Sequence, residues 1–183
     1  MAIDGGEGSD TIDLNFAVGR GEVEVKSDLG AGDDRFALRA VSHPSGGEII
    51  PCVRVALLGG SGNDNIGIDL RGFSGNSDLS VDAGAGDDSV RILADPPPER
   101  LAATLRGGDG KDAIEMIFSQ LGRATGESLV RILGDAGEDS LLLDPGGLGP
   151  FNLRTILDGG SGFDRARAPR FANLVNVEAK ATL

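Results

Sequence analysis

The sequence has few of the residues on which most catalytic and metal-thiolate sites depend. Its 183 residues include one cysteine, one histidine, seven phenylalanines and no tryptophan or tyrosine. A lone cysteine, Cys52, forms neither an internal disulfide nor a thiolate cluster, and zinc would want more His or Cys ligands. Tyrosine and histidine acid–base chemistry is equally disfavoured. We therefore expect no catalytic residues, and the one enzyme class left open is a calcium-dependent polysaccharide lyase that uses arginine.

Positive charge and long apolar runs are scarce as well. The chain has 17 Lys and Arg residues and 29 Asp and Glu residues, which gives a formal net charge of −12. Such a chain repels phosphate backbones and anionic lipid, so we expect no nucleic-acid partner. No apolar run approaches the length of about 18 residues that a transmembrane helix needs, so we expect no membrane span. The amino terminus lacks the regions of a signal peptide and begins inside a repeat, which predicts a fragment of a longer protein.

Glycine, in contrast, is abundant, and its placement is periodic. A Gly-x-Gly-x-Asp pattern occurs six times. A seventh copy, Gly134-Asp135-Ala136-Gly137-Glu138-Asp139, has Asp135 where its second glycine should be. The pattern glycines are Gly6, Gly8, Gly30, Gly32, Gly60, Gly62, Gly84, Gly86, Gly108, Gly110, Gly137, Gly160 and Gly162. The closing aspartates are Asp10, Asp34, Asp64, Asp88, Asp112, Asp139 and Asp164, spaced 24, 30, 24, 24, 27 and 25 residues apart. This regularity identifies an internal repeat.

Apolar residues alternate with polar ones on both sides of each motif. Two and four positions after the closing aspartates lie pairs such as Ile66 with Ile68 and Val90 with Ile92. A second alternating stretch precedes each motif, as at Val53 to Leu57. Strict alternation over five to seven residues indicates a half-buried strand, and no stretch shows helical periodicity.

One coil of about 24 residues therefore contains a motif turn, a strand, a variable turn and a second strand. Such units cannot bury their apolar faces alone and must stack with equivalent strands in parallel. The sequence predicts an all-β parallel β-solenoid, similar to a β-roll or β-helix, of about seven coils with two strands each. Residues 1–183 form one array, with a loop insertion at 41–51 and a closing strand or cap at 169–183. The uncapped first coil predicts end-to-end self-association.

Stacking brings the seven closing aspartates into one column. At a coil spacing of about 4.8 Å, neighbouring carboxylates repel by roughly 3 kcal/mol at an effective dielectric constant near 20. The column must therefore be protonated or neutralised by a cation. Glycines allow a tight turn to aim its carbonyl groups at one point, which completes an all-oxygen ligand set. Such a set favours calcium, with up to about six ions between seven turns. The predicted ligands are the seven closing aspartates and the thirteen pattern glycines.

The segment Gly5 to Asp13 resembles the Gly-Gly-x-Gly-x-Asp-x-apolar-x nonapeptide of the RTX (hemolysin-type) calcium-binding repeat family, as do Gly59–Gly67 and Gly107–Ile114. The resemblance implies a parallel β-roll, calcium held by turn carbonyls and the closing aspartate, and a secreted or surface-exposed bacterial protein that is exported unfolded. The family's motifs usually follow in tandem, whereas here each stands alone, so we expect ions on one edge only. Leu29 and Ala83 replace the first glycine in two copies.

Two functions from different classes fit this pattern. The first is a calcium-binding module that folds on calcium. The alternative is a surface adhesion or polysaccharide-binding module, whose ions are structural and whose outer β-face binds the partner. The aspartates could also merely form Asx turns. We interpret His43 as a loop residue and Cys52 as a small buried hydrophobe. Eight arginines occupy outward strand positions, either as a solvated face or as a groove for an acidic polymer: Arg35, Arg39, Arg54, Arg91, Arg131, Arg154, Arg165 and Arg167.

Overall fold

The computed structural model describes residues 1–42, 50–95, 100–118, 126–146 and 153–183, and within these ranges every regular element is a strand. The strands are β1 (Ala2–Asp4), β2 (Thr11–Val18), β3 (Glu22–Asp28), β4 (Arg35–Ser42), β5 (Cys52–Leu58), β6 (Asn65–Arg71), β7 (Asn76–Ala85), β8 (Ser89–Asp95), β9 (Arg100–Asp109), β10 (Ala113–Phe118), β11 (Ser128–Ala136), β12 (Ser140–Asp144), β13 (Leu153–Asp158), β14 (Arg165–Ala168), β15 (Asn173–Val175) and β16 (Ala179–Thr182). The described residues contain no helix long and apolar enough to cross a bilayer.

The strands form two sheets, each with eight parallel strands. The odd-numbered strands make one sheet in sequence order, and the even-numbered strands make the other. We call these the odd sheet and the even sheet. Equivalent repeat positions pair directly, so that Ile66 of β6 lies opposite Phe36 of β4 and Val90 of β8. The predicted all-β parallel solenoid is therefore confirmed, with about six turns, close to the predicted seven.

The core lies between the two sheets and consists of the inward side chains of the alternating strands. Val53, Ile66 and Ile132 are each 0 % exposed, and the larger side chains of Phe36 and Phe118 are buried in the same core. The eight arginines predicted to face outward are all exposed. Period-two alternation places every second side chain on the opposite face of a strand, which explains why the sequence pattern identified the core correctly.

Cys52 differs from its prediction as a buried residue. It is the first residue of β5, on the outward side that Arg54 also shares, and it is only partly buried. Partial burial still raises the pKa of its thiol. The strand register decides its direction, because Val53 occupies the inward position next to it. His43 and most of the predicted insertion lie in residues 43–49, outside the described ranges, and β4 extends to Ser42.

The two ends of the solenoid are unlike each other. In the first coil, Ile12, Leu14 and Phe16 are only partly buried, because their strand has a neighbour on one side alone. At the other end, β15 and β16 continue the two sheets within the predicted closing segment 169–183. There Lys180 pairs in register with the buried Ala166, so a charged residue occupies an inward position. End-to-end self-association through the first coil stays a prediction.

The core arrangement predicts a contrast between two adjacent residues of β8. Ile92 is 0 % exposed, whereas Leu93 lies on the outer face. We expect Ile92→Ala to lower the free energy of unfolding by about 2–5 kcal/mol through lost burial and a residual cavity. Leu93→Ala should lower it by less than about 1 kcal/mol. Urea denaturation of both variants in one buffer measures the difference, and equal losses would contradict the inward direction of Ile92.

Candidate metal centre

The motif turns lie along one edge of the solenoid, where each odd-numbered strand passes to the next even-numbered strand. Each closing aspartate immediately precedes an even strand, so the parallel register brings all seven into one column, as the sequence predicts. Six of them are no more than 3 % exposed, and Asp10 of the first coil is partly exposed. The edge therefore contains a continuous row of buried carboxyl groups.

The thirteen pattern glycines are required by the backbone itself. All of them have positive φ angles, from 90° at Gly6 to 148° at Gly137. A Cβ atom at Gly60 would overlap the carbonyl oxygen of Gly30 in the preceding coil. Glycine alone combines this conformation with such close backbone approach. Asp135, which replaces a glycine, has a φ of 72°, a region that few residues other than glycine occupy.

The closing aspartates are joined by hydrogen bonds that the sequence did not reveal. Oδ1 of Asp34, Asp64, Asp88, Asp112, Asp139 and Asp164 accepts the backbone N–H of the closing aspartate one coil earlier, at 2.6–2.9 Å. At the closing end, the N–H of Asp164 donates to Oε2 of Glu178 at 2.8 Å. We call this chain of bonds the aspartate ladder. Glu178 lies only 14 residues after Asp164, so the repeat spacing gave no signal for its role.

The second oxygen of each ladder carboxyl has no such partner. Oδ2 of all seven closing aspartates is buried and accepts no hydrogen bond from the described residues. Burial raises the pKa of Asp64 to about 6 and that of Asp112 to about 7. It also raises the pKa values of Asp88 and Asp139. In each case the hydrogen bond to the backbone opposes this shift, and nearby carboxylates add to it. The charged form of these four carboxyls is therefore costly in the folded chain.

Five motifs have a glycine beside this second oxygen, at a position where the neighbouring oxygens leave too little room for a Cβ atom. Their first glycines are Gly5, Gly59, Gly107, Gly134 and Gly159, and a Cβ atom on any of them would crowd Oδ2 of the motif's own closing aspartate. At Gly59 that Cβ would lie 2.7 Å from Oδ2 of Asp64 and would overlap the carbonyl oxygen of Ala83 in the next coil. A carboxylate oxygen and a carbonyl oxygen thus border the same space. We call each of these spaces a glycine cradle.

The facing carbonyl comes from the equivalent first motif position of the next coil. These carbonyls belong to Leu29, Ala83, Gly134, Gly159 and, at the closing end, Asn176. The carbonyls of Gly6, Gly30 and Gly60, which were predicted ligands, accept backbone N–H groups of the neighbouring coil at 2.8–3.0 Å. The second glycine therefore shapes the turn. In the sequence, the feature that could have predicted a cradle was the presence of two consecutive glycines at the start of a motif.

These groups fit a hard cation better than a soft one. In the part of the chain that the structure describes, no three Asp, Glu, His or Cys side chains converge on one point. The protein oxygens that border a glycine cradle, and that would hold an ion there, are one carboxylate oxygen and the main-chain carbonyl oxygen that faces it. An all-oxygen set with adaptable geometry suits calcium, whereas zinc favours nitrogen and sulfur ligands.

A second ladder runs along the exposed side of the same turns, outside the cradles. Its members occupy the position before each closing aspartate: Asp33, Asn63, Asp87 and Lys111. The N–H of each later residue donates to Oδ1 of the residue one coil earlier, at 2.8–2.9 Å. Oδ1 of Asn63 accepts this hydrogen bond just as Oδ1 of Asp33 and of Asp87 does. The exposed ladder therefore requires a side-chain oxygen but no negative charge.

Comparisons of the chain with protein-family models, with curated proteins and with solved structures find no match in any of the three. The resemblance of the motifs to the RTX repeat family therefore stays a prediction, and the case for a metal centre depends on the ladder and the cradles.

The raised pKa values predict how stability varies with pH when a chelator removes divalent cations. A carboxyl whose pKa is higher in the folded chain stabilises the fold at low pH, and this contribution is lost as the pH rises through the folded value. For Asp64 and Asp112 those values are about 6 and about 7. We expect the free energy of unfolding to fall by at least about 2 kcal/mol between pH 5 and pH 8, since one pKa unit corresponds to about 1.4 kcal/mol.

Far-UV circular dichroism in chelator at pH 5, 6, 7 and 8 follows this fall as a loss of β signal, and urea denaturation measures its size at each pH where the chain is still folded. Over this range the surface carboxyl of Asp69, whose pKa is lowered by Arg71, stays ionised and does not contribute. Asp112→Asn serves as the control, because its amide oxygen can still accept the N–H of Asp88 while the charge is absent. The variant should show a smaller fall. A stability that stays constant or rises from pH 5 to pH 8 would contradict the costly ladder.

Proposed function

We propose that this chain is a calcium-binding β-solenoid module that folds when calcium binds between its stacked motif turns. One observation carries the proposal: seven buried aspartate oxygens lack a hydrogen-bond donor among the described residues. Five of them border a glycine cradle that a carbonyl oxygen of the next coil also faces. The residues that would hold the ion are Asp10, Asp64, Asp112, Asp139 and Asp164, through Oδ2. No catalytic residue is part of the proposal.

The energetic argument follows from the ladder's charge. Near pH 7, closely spaced buried carboxyls must either keep their protons or meet a positive charge. Calcium at a cradle would replace the lost hydration of Oδ2 and offset the repulsion between coils. Because the two bordering oxygens come from different coils, the site exists only when the coils are stacked. Binding free energy would then contribute directly to folding.

The same coupling supports a location outside the cell. Where calcium is scarce, as in a cytoplasm, the carboxylates of the aspartate column would repel one another and the chain would stay unfolded. Where calcium is abundant, outside the cell, the coils would stack. Part of this proposal is therefore a secreted or cell-surface bacterial protein, as the resemblance to the RTX repeats implies. The lack of an internal disulfide fits this route, because ions would stabilise the fold instead.

The proposal predicts that calcium, and not magnesium, drives β-structure formation at pH 7.5. We expect a cooperative gain of far-UV circular dichroism β signal between chelator and about 10 mM calcium, with little change at equal magnesium. A ligand at one hundred times its Kd stabilises the folded state by about 2.7 kcal/mol for each site. Asp112→Asn should be more stable than the wild type in chelator and should gain less from calcium, because it loses the charged Oδ2.

Asp87→Asn is the matched control for this variant. Asp87 is an exposed acid next to the buried Asp88, and Asn63 already occupies the same position one coil earlier. The control removes one negative charge from the same edge and should keep the calcium response of the wild type. Two results would overturn the proposal: a β spectrum complete in chelator at pH 7.5 and insensitive to calcium, or equal losses of calcium response in the two variants.

The cradles also predict how the number of sites can be changed. Ala83 is 0 % exposed and occupies the first motif position before Asp88, where five other motifs have glycine. We expect the wild type to bind about five ions and Ala83→Gly to bind one more, since the substitution opens a cradle beside Oδ2 of Asp88. Isothermal titration calorimetry measures both numbers. Ala85→Gly, the same change at an exposed position two residues away, should leave the number unaltered, and an unchanged number in Ala83→Gly would contradict the role of the cradle.

A further inference from the structure

The outer face of the even sheet has a shallow depression near the closing end of the solenoid. Its volume is about 300 Å³, and its lining includes Arg165 and Arg167 of β14, Lys180 of β16 and Ser140 of β12. The two arginines are two residues apart on one strand, so both side chains lie on the outer face and both are exposed. The guanidinium group of Arg165 lies 5.5 Å from the ring centre of Phe163.

The cations of this depression are not compensated by neighbouring acids. Among the described residues, no carboxylate lies within ion-pair distance of Arg165, Arg167 or Lys180. The one acid in the lining, Glu115, is 3.6 Å from Arg91 on its other side. Two arginines without an ion-pair partner in the described part of the chain lie side by side in this depression, in a chain with a net charge of −12. Arg54 is paired with Glu22 at 2.7 Å, and Arg91 with Glu115. Among the described residues, Arg35, Arg39, Arg131 and Arg154 have no ion pair either, but Arg39 lines a depression that also contains Asp13 and Asp69.

The shape of the depression follows from small side chains beside the arginines. Ala179 and Ala181 of β16 pair in register with Arg165 and Arg167, so the sheet surface stays open next to both guanidinium groups. On the other side, Ser140 of β12 pairs with Arg165 and presents a hydroxyl group.

We propose that this depression binds a short acidic oligosaccharide built from uronic acids. The two arginines present guanidinium groups that match carboxylates in geometry and charge. The side chains of Ser140 and Glu115, which also line the depression, can exchange hydrogen bonds with sugar hydroxyl groups. The net charge of −12 would repel a long polyanion or an anionic membrane from the rest of the surface, which favours a ligand with few charges. This site goes beyond the calcium module and uses none of its ligands.

The test is binding of a galacturonic acid tetramer to the full chain, measured by isothermal titration calorimetry at fixed calcium. We expect Arg165→Gln combined with Arg167→Gln to raise the Kd at least tenfold. Arg131→Gln combined with Arg154→Gln is the matched control, because it removes two exposed arginines from the outer face of the odd sheet. The control should stay within twofold of the wild type. Far-UV circular dichroism establishes that every variant is folded.

Further ligands test whether the depression prefers an acidic oligosaccharide to a neutral one, to phosphate or to a membrane. A neutral galactose tetramer should bind at least tenfold more weakly than the acidic tetramer. The proposal is overturned if the folded wild type does not bind the acidic tetramer, if both double variants lose affinity equally, or if inorganic phosphate competes as strongly as the tetramer. Stronger binding to vesicles containing phosphatidylserine would also overturn it, in favour of a membrane. A failure here, with the calcium response intact, leaves the calcium module unaffected.

Discussion

The structure depends on a conflict inside its aspartate ladder. Oδ1 of each buried carboxyl satisfies a backbone N–H of the preceding coil, which fixes the register of the motif turns. Oδ2 of the same group is buried without a donor among the described residues. The ladder therefore both aligns the coils and opposes their stacking when it is charged. A proton or a cation resolves the conflict, and the glycine cradles are the places where a cation could approach.

Glycine has two separate roles in these turns. The second and third glycines are explained by positive φ angles and by backbone packing between coils, as at Gly30 and Gly32, and they need no metal to account for them. The first glycine has no positive φ, as Leu29 and Ala83 demonstrate by occupying the same position. Its feature is the absence of a Cβ beside Oδ2. Only the first position therefore distinguishes the five turns with a glycine cradle from turns that are merely tight.

The edge and the faces of the solenoid carry different chemistry. Along the motif edge, Oδ1 of each closing aspartate from Asp34 onward accepts the backbone N–H of the closing aspartate one coil earlier, and this arrangement repeats from coil to coil. On the outer faces the strand positions vary from coil to coil. Some charges pair locally, as Arg54 does with Glu22, whereas others, including Arg165 and Arg167, have no ion-pair partner among the described residues. The repeats fix the scaffold, because each coil must match its neighbours. The outward side chains are free of that constraint and can be specialised at a single place.

The sequence by itself determined the solenoid, the core and the aspartate column, because the period-two alternation and the motif spacing leave one way to stack the coils. It predicted that Asp64 and Asp112 share a column and that Ile66 and Ile92 face inward. Only the tertiary structure decided how the two carboxyl oxygens differ, that Glu178 ends the ladder and that Cys52 faces outward. These features depend on contacts between residues of neighbouring coils, which are 14 to 30 positions apart in the chain. The period of the sequence pattern predicts which residues lie near each other, but it does not predict which atoms are in contact.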